Sequence, residues 1–155
     1  MGGEQLACPL SKGERILVAV DGSVYSEMAL DHAISMGTVC NSELFAVYVV
    51  EGYPKHLEPA PKADERIEQE AQEFLKKVKG KAEEKNVACE TIVRVGSQPH
   101  ELIVKEAKDR GADLIVMGTH GRTGLKKFFM GSVAQKVIGY APCAVLVVPA
   151  FAGQA

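Results

Sequence analysis

The sequence has no tryptophan, few aromatic residues and no large excess of either charge. A net charge of −2 gives no basic surface to argue for nucleic acid, and no acidic tail argues for a cationic partner. Nowhere does an apolar run reach the roughly 18 residues that a membrane-spanning helix needs. Met1 to Lys12 lacks the basic start and long apolar centre of a secretory signal. Residues 1–14 are therefore expected to form a flexible leader, and 15–150 a single cytoplasmic domain. Cysteine is scarce: there are four, with no C-x-x-C pair and no histidine at zinc-finger spacing. The expectation is free thiols in a reducing cytoplasm, some of them buried.

What is present is a regular alternation. Arg15 to Val20 is a short apolar run ending at Asp21-Gly22-Ser23, which reads as a buried strand followed by a turn. Ser23 is placed to cap the next helix, whose Ala29, Leu30, Ala33, Ile34 and Gly37 share one face. Glu43 to Val50 reads as a second strand, and Pro54, Pro59 and Pro61 as a loop. From Ala63 to Asn86 a charged helix carries one apolar stripe: Ile67, Ala71, Phe74, Leu75, Val78 and Ala82. Val87 to Val95 is a third strand. Pro99 opens a helix that Gly111 closes, and Asp113 to Met117 is a fourth strand. A helix from Ser132 to Ile138, capped by Gly139, and a strand from Cys143 to Val148 complete the chain. Strands alternating with amphipathic helices specify an α/β fold, a doubly wound parallel sheet of five strands.

Ligands of such sheets bind outside the carboxyl ends of the strands, where the strand order reverses. Two loops compete for that place: Asp21 to Ser23, and the segment from Gly118 to Gly131. The second runs to about a dozen residues, a length usually reserved for function. Gly118 follows a strand and Gly131-Ser132 opens a helix. Glycines let main-chain N–H groups approach an anion, and a helix start adds unpaired N–H groups and the positive end of its dipole. Ser132 adds a hydroxyl, and His120, Arg122, Lys126 and Lys127 add donors or charge. Together these parts describe a phosphate cradle. The spacing is not that of a Walker loop, and no G-x-G-x-x-G follows the first strand.

Gly118-x2-Gly121-x9-Gly131-Ser132 resembles the G-x2-G-x9-G-(S/T) signature of the ATP-binding branch of universal stress proteins. Ile16 to Ser23, Val47 to Val50, Ala112 to Gly121 and Pro142 to Pro149 are similar to the same family's strands and turns. The resemblance implies a Rossmann-like sheet of the adenine-nucleotide alpha-hydrolase-like type, ordered 3-2-1-4-5. It also implies a homodimer through the last strand. Carried over by position, Asp21 would lie on the ribose or adenine side, Val49 against adenine and Met117 beside the nucleotide. Gly118, His120, Gly121, Gly131, Ser132 and Val133 would line the phosphates. Two positions depart from the family pattern: Ala19, where some members have proline, and Tyr48, where histidine is common.

The resulting expectation is a cytoplasmic homodimer that binds ATP, ADP or AMP, with or without magnesium. It would act as a stress-response sensor or switch: occupancy orders the long loop and alters a surface that a downstream protein reads. Slow ATP hydrolysis is the enzymatic alternative, with Asp21 and His120 as the available groups. A phosphate-accepting domain would want an acid after the third strand, where Val95-Gly96-Ser97 stands. A structural dimer that binds no nucleotide would have no need of the glycine spacing. The last strand, nearly all apolar, supplies a reason to self-associate.

Overall fold

A computed structural model describes residues 7–10, 12–52, 61–122 and 129–150; the side chains of 61–64 are outside the description. Within it run β1 (Arg15–Val20), α1 (Val24–Cys40), β2 (Glu43–Glu51), α2 (Pro61–Glu83) and β3 (Cys89–Gly96). Then come α3 (Pro99–Asp109), β4 (Leu114–Gly118), α4 (Ser132–Tyr140) and β5 (Ala144–Val148). The sheet is parallel throughout, in the order β3-β2-β1-β4-β5. Successive side chains of each strand point to opposite faces, so each strand feeds two cores. Ile16, Val18 and Val20 pack with α1 and α2, and Leu17 packs with residues of α3 and α4. Both faces are covered, which is why the central strands are apolar without alternation.

Local signals act where they were expected. The Ser23 hydroxyl accepts from Ser26 N at 3.2 Å and caps α1. Pro99 begins α3, and Gly111 follows its last turn with φ +60°. On α3 the buried Glu106 carboxylate is held by Arg94 of β3 and by Arg110, whose guanidinium also meets Glu90 at 2.8 Å and lies over the Phe45 ring.

Several expectations are corrected. Pro61 opens α2, where a fixed φ and a missing N–H do no harm; Pro54 and Pro59 fall outside the described residues. Ile67 is 40% exposed and not part of the core stripe, although Ala71, Leu75, Val78 and Ala82 are. Gly139 does not end α4: the helix continues to Tyr140 and its cap is the extended Ala141. Gly118 is the last residue of β4, paired with Val148, and does not follow the strand.

The cysteines are not all free. Cys8 and Cys40 form a disulfide across 32 positions, leaving Cys89 and Cys143 as thiols. Neither local spacing nor composition pairs them. The fold does, by laying the segment before β1 against the last residue of α1.

Candidate nucleotide site

In this strand order the chain leaves β1 for β2 on one side and later places β4 on the other. The loops after β1 and β4 therefore diverge, and a crevice of about 440 Å³ opens between them. Small-molecule sites typically occupy roughly 300–1,000 Å³. All nine residues singled out from sequence line it: Asp21, Val49, Met117, Gly118, His120, Gly121, Gly131, Ser132 and Val133.

The loop after β1 is a tight turn. Gly22 adopts φ +81°, a conformation that other residues rarely take. The Asp21 carboxylate accepts from Ser23 N at 2.9 Å through Oδ1 and from Arg122 N at 3.1 Å through Oδ2. Arg122 returns the contact, donating from Nε to the Asp21 carbonyl at 2.6 Å. Its guanidinium then lies 5.6 Å from the Tyr48 ring centre, and Tyr48 meets Phe74 edge-on. Burial pushes the Tyr48 phenol above its ordinary range, and the positive charge of Arg122 opposes that rise. Asp21 and Arg122 thus clamp two loops that are 101 residues apart. The Arg122 side chain, read from sequence as a phosphate donor, is turned to the Asp21–Tyr48 wall. Lys126 and Lys127 fall outside the described residues.

The glycines have specific neighbours. A Cβ on Gly118 would lie 2.7 Å from Tyr25 Cβ and 2.9 Å from the Tyr25 carbonyl atoms, so this glycine lets α1 approach β4. On Gly121 it would lie 3.1 Å from Asp21 Oδ2, and on Gly131 3.1 Å from the Thr119 carbonyl oxygen. All three face protein atoms. They shape the cradle by close packing, which is a different reason from the anion access expected.

Thr119 gathers the loop ends, donating N–H to Val148 O at 3.1 Å and accepting from Gly131 N at 2.7 Å. His120 Nδ1 meets the Thr119 hydroxyl at 2.9 Å, and its Nε2 meets the Phe129 carbonyl. A carbonyl only accepts, so Nε2 donates. In the neutral ring Nδ1 then accepts from Thr119. The imidazole fastens the two ends of the loop and rests 5.0 Å from the Tyr25 ring.

At the start of α4, N-cap Gly131 gives the first turn no side-chain hydrogen bond. Ser132, Val133 and Ala134 all line the crevice, so this turn, without a side-chain cap among the described residues, faces it. On the opposite wall β2 runs past its last partner in β1, the pair Val20–Tyr48, to Glu51. Val49 and its neighbours therefore border the crevice with main chain that β1 does not cover.

Sequence reading missed the structural roles of Tyr48 and Thr119, and missed Ile67, Glu51 and Pro99 as lining residues. Tyr48 was visible only as a departure from a family pattern. Ile67 was absorbed into a helical stripe of correct period. Among the described residues no group of three His, Cys, Asp or Glu side chains could hold a metal ion. No described helix is long and apolar enough to cross a membrane.

The sequence profile of the universal stress protein family matches residues 13–149. Universal stress protein MJ0531 of Methanocaldococcus jannaschii is 43% identical over 139 residues, spanning 87% of this chain and 81% of the relative. Among solved structures, the hypothetical protein MJ0577 superposes with TM-score 0.80 at 31% identity, covering 90% of this chain and 98% of that one. A universal stress protein from Archaeoglobus fulgidus, solved in complex with dAMP, gives TM-score 0.66 at 25% identity over 87% of this chain and 97% of its own. The glycine spacing, the strand order and these likenesses agree, and the chain belongs to the universal stress protein family.

Proposed function

We propose that the chain binds an adenine nucleotide, ATP or its ADP and AMP relatives, in the crevice between the β1 and β4 loops. The observation that carries this is the first turn of α4, which has no side-chain cap among the described residues, opposite the clamped Asp21 loop in a crevice of nucleotide size. Main-chain N–H groups at a helix start suit phosphate oxygens. The uncovered main chain of β2 near Val49 suits the edge of a base, with Asp21 and Met117 flanking the sugar. The dAMP complex of the Archaeoglobus relative supports the same ligand class.

Among the described residues, little is equipped to cleave a phosphoanhydride. Both oxygens of the Asp21 carboxylate already accept loop N–H groups, and both ring nitrogens of His120 are engaged. Any magnesium would be held by the nucleotide's own phosphates. The protein's work is therefore retention. Occupancy alters the surface around the crevice mouth, and a downstream protein reads it, as a cytoplasmic stress sensor or switch requires. Calorimetric titration with ATP, ADP, AMP and GTP tests the reading. Adenine nucleotides should bind with Kd below about 1 mM, ahead of GTP. Absence of binding at millimolar nucleotide would overturn it.

A further inference from the structure

The pairing of Cys8 with Cys40 is unused by any nucleotide-binding role. It lies where the segment before β1 meets the last residue of α1. The sheet does not depend on it. Glu14 and Arg15 donate their N–H groups to Asp113 Oδ2, both at 3.1 Å, and the Glu14 carbonyl accepts from Glu43 N at 2.8 Å. The Ser42 hydroxyl donates to the Gly13 carbonyl. From Gly13 onward the chain is tied to the fold by these bonds. Ahead of Gly13, among the described residues, the disulfide and the packing of Leu10 on the α1–α2 core hold the segment.

The setting suits exchange. Cys8 and Cys40 are both half-buried, so neither is sealed in the core. Gly13 backs the bridge: a Cβ there would lie 2.8 Å from Cys8 Sγ and 3.2 Å from Cys40 Sγ. The other two cysteines are poorly suited to compete. Cys89 is buried, and burial pushes its thiol up to about 11; burial also raises that of Cys143.

We propose that Cys8 and Cys40 form a reversible oxidation site whose state fastens or releases the segment ahead of Gly13. The co-reactant is a low-molecular-weight thiol such as glutathione. Its thiolate attacks one sulfur, the Cys8–Cys40 bond breaks, and the other cysteine leaves as thiolate. A second thiol resolves the mixed disulfide. The protein gains two electrons and two protons, while two small thiols become one disulfide. Glutathione disulfide drives the same steps in reverse.

The full chain, kept folded, is equilibrated with glutathione disulfide or with excess reduced glutathione, then denatured and alkylated. Two of its four thiols should react after oxidation, with peptide mapping placing the bridge at Cys8 and Cys40, and four after reduction. The change should reverse on re-oxidation. Chymotrypsin should cut after Leu10, which packs on the core within that segment, at least about tenfold faster in the reduced protein, since cutting follows the population of the released segment. Cys8→Ser should be cut fast in either buffer. Four reactive thiols after oxidation would overturn the proposal. So would a bridge that survives excess reduced glutathione in the folded chain, or a Leu10 cutting rate that is the same in both states.

Discussion

Gly118, Gly121 and Gly131 shape the loop through what a side chain would strike. Gly118 is the most constrained, because its Cβ would meet Tyr25 main chain, which cannot swing aside. Gly118→Ala should cost about 1–3 kcal/mol, as overpacking of a tight contact does, read as a lowered urea midpoint. Gly131 has ordinary backbone angles, φ −59° and ψ 150°, so a side chain there is opposed only by Thr119 and His120. The three glycines were legible in the sequence as a motif, but their reasons were not. Tyr25 and Asp21 lie far from them along the chain, and only the fold brings them near. Arg122 shows the same limit. Sequence offered it as one more cation near phosphate, whereas its guanidinium serves the Asp21 carbonyl and the Tyr48 face. If it positions the loop, Arg122→Ala should weaken adenosine, AMP and ATP by a similar factor, about tenfold, equal to roughly 1.4 kcal/mol. A loss that grows with each added phosphate would instead mark direct phosphate contact. Titrating the three ligands against both proteins separates the outcomes.

At the scale of elements, periodicity located every strand and helix because burial imposes it. Two misreadings, Ile67 and Gly139, fall where burial stops. Ile67 lines the crevice, so it kept the helical period of α2 while leaving the core. Gly139 was read as a cap because glycine usually ends helices, yet α4 is stabilised by packing of Ala134 and Val137 and runs through it. A Cβ on Gly139 would meet nothing within 4 Å. Gly139→Ala should therefore stabilise the protein by about 0.5–1 kcal/mol, the usual helical difference between the two residues. Thermal unfolding reads it, and a lowered melting temperature would mean that α4 has an unrecognised neighbour at that position.

For the whole molecule, alternation of strands and helices specified a doubly wound sheet, but no local residue says that β4 lies beside β1. That order came from the family resemblance, and the structure has it. It leaves β5 at an edge, with Val145, Leu146 and Val147 only half-buried. An apolar edge whose main chain has no partner on one side among the described residues favours pairing with a second strand, and two copies related by a two-fold axis satisfy both edges at once. We therefore expect a dimer at micromolar concentration in sedimentation experiments. Ala144, exposed at the start of β5, is the position to test, since a charge there burdens an edge-to-edge contact without touching the core. Ala144→Lys should weaken the dimer at least about tenfold while leaving the melting temperature of the isolated chain and its nucleotide affinity near those of the parent. Should the variant sediment as the same dimer, association must run through another surface, and the exposed Ile138 and Tyr140 of α4 are then the next residues to charge.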